Sequence, residues 1–260
     1  MPSLTPPVAA KDRAAVERFL EQDAVSTAVV WNRAFDMEGT KELFADGDPV
    51  RGVLAVARPE WAGGAAGIAM HATAPEAAQG LMTAWPHGEV FFHLTEEWML
   101  SLVEPHAESI DGGVFWLFRL DPDDLVDRGS QGVEPLDPKW AELVGRVWDP
   151  DWSDAGAYVR KRIEAGHAFA VYDAGKPVAW AFTHFETPRV SMMGFLHVLE
   201  PHRRKGYARA VASALIRDIL DRGKIPALHV KTDNVASLEL TASLGFHRVK
   251  KQVWADAVMR

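Results

Sequence analysis

The sequence predicts a mixed α/β chain, an α+β mixed sheet with helices, built as two units. Three features of the chain point to this class. Helical and strand periodicities alternate along the chain. The charge balance changes sign: residues 1–130 carry 9 Lys and Arg against 21 Asp and Glu, a net of −12, whereas residues 131–260 carry 19 against 15, a net of +4. Residues 121–132 are polar, acidic and turn-rich, the composition of a linker or a long surface loop. The expected division is therefore 1–130 and 131–260.

Composition narrows the class. At ~150 residues per domain, 260 residues make one large domain or two smaller ones. Hydrophobic residues are 48% and charged residues 25%, as in a soluble globule. No apolar run approaches the ~20 residues of a membrane-spanning helix. Residues 1–7 lack the basic start and apolar core of a signal peptide. There is no cysteine, which excludes disulfides, thiol nucleophiles and thiolate metal sites. A cytoplasmic protein without a membrane partner is expected. The second half is not basic enough for nucleic acid. The ten histidines show no metal-ligand spacing, so no metal is expected, and the ten tryptophans read as packing residues.

In the first half, residues 12–22 place Val16, Phe19 and Leu20 at helical spacing. Residues 51–58 and 66–71 read as strands. Thr73, Pro75 and Glu76 read as cap, first-turn proline and first-turn acid of a helix running to Met82. Residues 89–94 read as a strand, 95–103 as a helix and 113–120 as a strand. None of these carries a recognisable chemistry.

In the second half, residues 133–136 read as a short strand and 137–148 as a helix opened by Asp137 and Pro138. Residues 154–165 form a second helix. Strands follow at 167–172, 177–185 and 190–198, the first two joined by a tight turn at 173–176. A long helix starts near Arg204 and runs to Arg222, with Val211, Leu215, Ile219 and Leu220 on its apolar side, and Gly223 ends it. Residues 225–230, 235–244 and 247–258 read as strand, helix and strand.

Two stretches carry chemistry. The first is Phe195-Leu-His-Val-Leu-Glu-Pro-His-Arg-Arg-Lys-Gly-Tyr-Ala-Arg209, a strand that enters a short loop and then a helix. Arg203, Arg204 and Lys205 supply cations, and Gly206 and Ala208 let a ligand approach the backbone. Amides at a helix start favour an anion, so the loop suits phosphate. The same residues would also serve as a basic helix start facing water. Neither G-x-x-x-x-G-K-[ST] nor G-x-G-x-x-G occurs. The second stretch places Asn234 after a strand and Gly245-Phe246 after the following helix. Taken alone, those are a helix cap and a helix stop.

Together the two stretches resemble the GNAT superfamily of acyl-CoA-dependent N-acyltransferases. Arg203-Arg-Lys-Gly206-Tyr-Ala208 has the form of that family's [QR]-x-x-G-x-[GA] motif, and Asn234 and Gly245-Phe246 stand at its spacing. The resemblance covers roughly 133–260. It implies a strand at 190–198 that carries a bulge and splays from the next strand, with acetyl-CoA or another acyl-CoA held in the gap. The pantetheine arm would meet the backbone of Leu196, His197 and Val198. The pyrophosphate would lie on the amides of Arg204, Lys205, Gly206, Tyr207, Ala208 and Arg209, beside Arg203. Asn234 and Ser237 would face the cofactor arm. The first half would be a degenerate copy of the same fold that walls the acceptor site, as in proteins similar to glycine N-acyltransferase.

The sequence departs from the family in two places. Many members carry a Tyr seven residues after the Asn, which protonates the leaving thiolate; here that residue is Thr241. Some carry a Glu five residues before the Asn; here it is His229, a residue suited to taking a proton from an ammonium. His197, Glu186 and Glu200 compete for that role. The expected activity is transfer of an acetyl or acyl group to a primary amine of a small molecule or amino acid, by direct attack in a ternary complex. The alternatives are a non-catalytic acyl-CoA-binding regulatory module and a protein N-acetyltransferase.

Overall fold

A computed structural model describes residues 8–9, 12–127 and 129–260. The reading of residues 1–7 lies outside them, as does Arg128 in the polar segment. The chain divides into two compact units. Unit 1 takes the chain up to Leu117 together with Val249–Arg260, and unit 2 is Phe118–Arg248.

The expected division at 130/131 differs from this one at both ends, for identifiable reasons. The polar segment is pinned to unit 2. The Asp124 carboxylate meets His247 Nε2 at 2.9 Å, Asp127 meets Arg217 at 3.0 Å, and Val126 N–H donates to the Leu244 carbonyl. Gly245 backs directly onto the segment: a Cβ there would lie 1.9 Å from the Asp124 carbonyl oxygen. At φ +95° that position needs glycine on both counts. The last strand, His247–Met259, pairs antiparallel with Gly88–Leu94 of unit 1, from Val253↔Leu94 to Met259↔Gly88.

Unit 1 contains strands β1 (Val8–Ala9), β2 (Thr40–Asp46), β3 (Gly52–Arg58), β4 (Ala66–Ala72), β5 (Gly88–Leu94) and most of β6 (Ala107–Arg119). Its helices are α1 (Arg13–Glu21), α2 (Ala28–Trp31), α3 (Pro75–Met82) and α4 (Leu100–Val103). The order is β1-β2-β3-β4-β5, then the final strand β12, then β6. The strands β1 and β2, α2, and the π-helical turn Asn32–Asp36 after it are additions to the sequence reading. The predicted cap of α3 is corrected. Ala74 precedes the helix, and the Thr73 hydroxyl donates instead to the Arg51 carbonyl at 3.1 Å. Leu54, Ile68, Met70, Leu81, Phe92 and Leu94 are fully buried in the core of this unit, each contributing roughly 1.5–3 kcal/mol.

Unit 2 contains β7 (Val133–Pro135), β8 (Ala168–Asp173), β9 (Lys176–Glu186), β10 (Val190–Val198) and β11 (Ile225–Lys231). Its helices are α5 (Ala141–Trp148), α6 (Ala155–Glu164), α7 (Tyr207–Asp221) and α8 (Val235–Ser243). The pairings are antiparallel from β7 to β10, and β10 runs parallel to β11 with α7 as the crossover. Ala174 and Gly175, both at positive φ, close the β8–β9 hairpin as expected. Helix α5 is preceded by a 3-10 turn, Pro138–Trp140, which Asp137 caps through Lys139 N–H at 2.9 Å. Helix α7 buries Val211, Leu215, Ile216 and Ile219, with Ile216 in the place expected of Leu220.

Unit 1 repeats the strand order of unit 2. Two helices follow the first strand, three antiparallel pairings come next, and a helix crosses over to a parallel strand. It differs at the crossover. Strands β4 and β5 pair from Ala66↔Val90 to Met70↔Leu94 without a register shift, and only Thr73 and Ala74 separate β4 from α3. Among the described residues, no helix is long and apolar enough to cross a membrane.

Candidate functional site

In unit 2, β10 and β11 pair from Val190↔Ile225 to Met193↔Leu228 and no further, although β10 continues to Val198 and β11 to Lys231. Opposite, on the β9 side, β10 gains one residue between the pairs Gly194↔Phe182 and His197↔Trp180. Phe195 sits in this bulge at φ +52°. The bulge bends the strand away from regular pairing, and β10 leaves β11 midway, so residues 194–198 have no ladder partner on β11. A second register shift places an extra residue in β9: Met192 pairs with Phe185 and Met193 with Thr183, leaving His184 between them.

Residues 199–206 join β10 to α7. A short 3-10 turn, Glu200–His202, comes first. Arg204 at φ +61° and Gly206 at φ +83° then take left-handed conformations, which no helix interior accepts. The helix therefore starts at Tyr207, three residues later than the periodicity suggested. The first helical amide bond is Ala210 N–H to the Gly206 carbonyl, at 3.1 Å. The amides ahead of it lie in the turn that a helix leaves without helical acceptors. No side chain caps this end, and a Cβ on Gly206 would meet nothing within 4 Å. The loop is therefore open to an anion at its backbone.

The cations around it have distinct positions. Arg203 Nε folds back to the Val198 carbonyl at 3.2 Å, so this side chain ties the loop to the end of β10. Arg204 and Lys205 are exposed. Arg209 reaches Ser243 Oγ at 3.2 Å, bridging α7 and α8. Tyr207 and Ala208 are half-buried in the first turn.

Along β10, Leu196 is 38% exposed, Val198 is half-buried, and His197 stacks on Trp180 with ring centroids 5.2 Å apart. Burial lowers the His197 pKa and the nearby Arg203 charge lowers it further, so its imidazole is held toward the neutral form. His229 lies on β11 as the first residue beyond Leu228, the last partner of β10, and is half-buried. Asn234 caps α8, its Oδ1 accepting from Ser237 N–H at 3.1 Å. That bond uses the oxygen of the Asn234 amide and the backbone of Ser237. Thr241, where many family members carry Tyr, is only 4% exposed.

Of the competing bases, Glu186 is held as an anion by its partners. Burial alone would raise its pKa, but hydrogen bonds from Lys224, Ser191 and Arg222 outweigh that and bring it down to about 2. It is a structural anion. Glu200 is exposed in the 3-10 turn.

One cluster was not singled out by the sequence. Trp148, Trp152, Tyr158, His184 and Phe195 pack ring against ring, with Trp148 edge-on to Phe195 at 4.6 Å and stacked on Tyr158 at 5.6 Å. Trp148 remains 41% exposed. No local signal marks these residues as neighbours, because they come from α5, α6, β9, β10 and the α5–α6 connection.

A splayed parallel pair, a bulge, and a phosphate-suited loop at a helix start make a recognisable combination. A family model described as FR47-like protein matches residues 171–255. A solved Drosophila protein is similar with a TM-score of 0.76 at 14% identity, covering 97% of this chain and 98% of that one. A GCN5-related N-acetyltransferase from Sphaerobacter thermophilus is similar with a TM-score of 0.65 at 16% identity, covering 100% and 98%. A tandem GNAT protein from the clavulanic acid biosynthesis pathway is similar with a TM-score of 0.56 at 14% identity, covering 98% of each chain. The fold is that of the GNAT superfamily. That likeness extends over nearly the whole chain, and unit 1 repeats the strand order of unit 2 with its parallel strands β4 and β5 still paired. In this GNAT-fold chain the splay and the basic loop occur together in unit 2, at Met193/Leu228 and residues 203–209.

Proposed function

We propose that the chain is an acyl-CoA N-acyltransferase that moves an acetyl or acyl group from its CoA thioester to a primary amine of a small molecule or amino acid. The observation that carries this reading is the parting of β10 from β11 beyond Met193 and Leu228, directly ahead of the open helix start at Gly206. In this reading the pantetheine arm lies along Leu196, His197 and Val198. The pyrophosphate rests on the amides of residues 204–209, with Arg203, Arg204, Lys205 and Arg209 around it. The Asn234 amide nitrogen and Ser237 face the arm.

The amine attacks the thioester carbon directly in a ternary complex, and no cysteine exists to carry an acyl intermediate. Backbone N–H groups at the β10 bulge stabilise the oxyanion, and His229 takes the amine proton. Among the described residues, unit 1 has neither the splay nor such a loop, so one CoA binds per chain.

Calorimetry with CoA on the full chain, followed by a free-thiol assay with acetyl-CoA and a panel of amines, tests this. The expected result is one CoA per chain and thiol release that depends on the amine. No heat at high CoA concentration would overturn the reading. Binding without release by any amine would make the chain an acyl-CoA-binding module instead.

A further inference from the structure

We propose that Tyr158 and His184 serve the leaving group of this transfer: Tyr158 protonates the departing thiolate, and His184 positions the phenol and steadies the phenolate that results. The inference rests on the acyltransferase reading above and supplies the acid that Thr241 cannot.

His184 is the extra residue of the β9 bulge, and a bulge of this kind re-aims a side chain out of the regular alternation. Its position relative to the splay is fixed by contact. A Cβ on Gly194 would lie 3.3 Å from the His184 Cβ, and Gly194 is the first residue of β10 after the pairing with β11 ends. The imidazole also stands edge-on to Phe195 in the facing bulge, 5.1 Å between centroids. The two bulges thus meet where the thioester has to lie if the pantetheine follows β10.

Tyr158 reaches this point from α6. Its hydroxyl oxygen is 3.4 Å from His184 Nδ1, at the long end of hydrogen-bond geometry. Catalytic hydrogen bonds are often long before substrate binds. Three rings hold the phenol: Trp148 stacked at 5.6 Å, Trp152 at 5.4 Å and Phe195 at 6.2 Å. They restrict its rotamers and leave it half-buried. The chain has three tyrosines, and the other two are placed differently. The Tyr172 hydroxyl donates to the Pro135 carbonyl and accepts from Asp137 N–H, a structural bridge. Tyr207 opens α7 in the phosphate loop.

The step balances. The amine nitrogen forms the new C–N bond and its surplus proton leaves to the base. The C–S bond breaks with its electron pair staying on sulfur. Sulfur takes the Tyr158 hydroxyl proton and departs as the neutral thiol. The phenolate accepts a hydrogen bond from a proton on His184 Nδ1 and is reprotonated from water. Tyr158 is then the catalytic residue and His184 a positioning residue.

The test uses the full chain with acetyl-CoA and the best amine of the panel. Tyr158→Phe keeps the ring and removes the proton. It should lower kcat by about 100-fold, leave KM for acetyl-CoA, CoA affinity and melting temperature unchanged, and abolish the alkaline decline of the kcat–pH profile. His184→Gln should lower kcat less and move that alkaline limb to higher pH. A Tyr158→Phe protein with wild-type kcat and an intact alkaline limb overturns the proposal, as does one in which only KM and melting temperature change. Wild-type protein that neither binds CoA nor releases thiol overturns the acyltransferase reading itself, and this inference with it.

Discussion

Met193 and Leu228 are the last pair that joins β10 to β11, and the residues after them part although both strands continue. Two parallel strands normally satisfy each other's backbone groups along their length. Ending the ladder early leaves the N–H and C=O groups on this side of both strands without their ladder partners. Phe195 in the bulge and Arg204 in the following loop add backbone strain of their own, each a non-glycine residue held at positive φ by its surroundings.

Gly206→Asp should weaken CoA binding at least about tenfold while the fold survives. The backbone at φ +83° disfavours any Cβ, a strain of about 1–2 kcal/mol, and the carboxylate adds negative charge where the pyrophosphate should sit. Calorimetry and thermal melts on the same samples separate the two effects. Unchanged affinity would reduce the loop to an ordinary helix start.

Asn234 has two functions that a pair of substitutions separates. Asp caps a helix as well as Asn does, so Asn234→Asp should keep the Ser237 N–H bond and the melting temperature. It loses the amide N–H₂, and KM for acetyl-CoA should rise. Asn234→Ala loses the cap as well, at about 1 kcal/mol. Equal KM values for wild type and Asn234→Asp would confine this residue to capping.

His229→Ala should remove the ascending limb of the rate–pH profile. Only a neutral imidazole accepts a proton, so the wild-type rate should climb as the ring deprotonates and the two proteins should converge at low pH. A mutant that keeps the wild-type profile takes His229 out of the mechanism.

Glu186 predicts a pH dependence of stability. Its carboxyl is held down at about 2, below its ordinary 4.5, because Lys224, Ser191 and Arg222 hold the anion against the penalty of burial. A depressed carboxyl contributes its stability above the unfolded value and loses it as pH falls through the folded one. Thermal melts of wild type and Glu186→Gln should therefore differ most at pH 7 and converge between about pH 4.5 and 2. A gap that stays constant across that window would show that the ion pairs with Arg222 and Lys224 add nothing.

The elements of unit 2 and the loop that follows β10 are legible in the sequence. Strand and helix periods, the Asp137 cap, the hairpin at 173–176 and the Arg203–Ala208 pattern are local, and local order is set by φ/ψ preference and side-chain alternation within a few residues. The rest depends on long-range contacts. The segment at 121–132 has the composition of a linker, yet Asp124 and Asp127 are tied to His247 and Arg217, more than eighty positions away in sequence. Strand β12 pairs with β5 of unit 1 because strand partners are chosen by long-range register, which no neighbouring residue encodes. The same reason hid Tyr158 and His184 among ordinary aromatic and histidine positions. Their meeting depends on an extra residue in β9 and another in β10, and a bulge is a mismatch between two strands that one sequence read alone does not display.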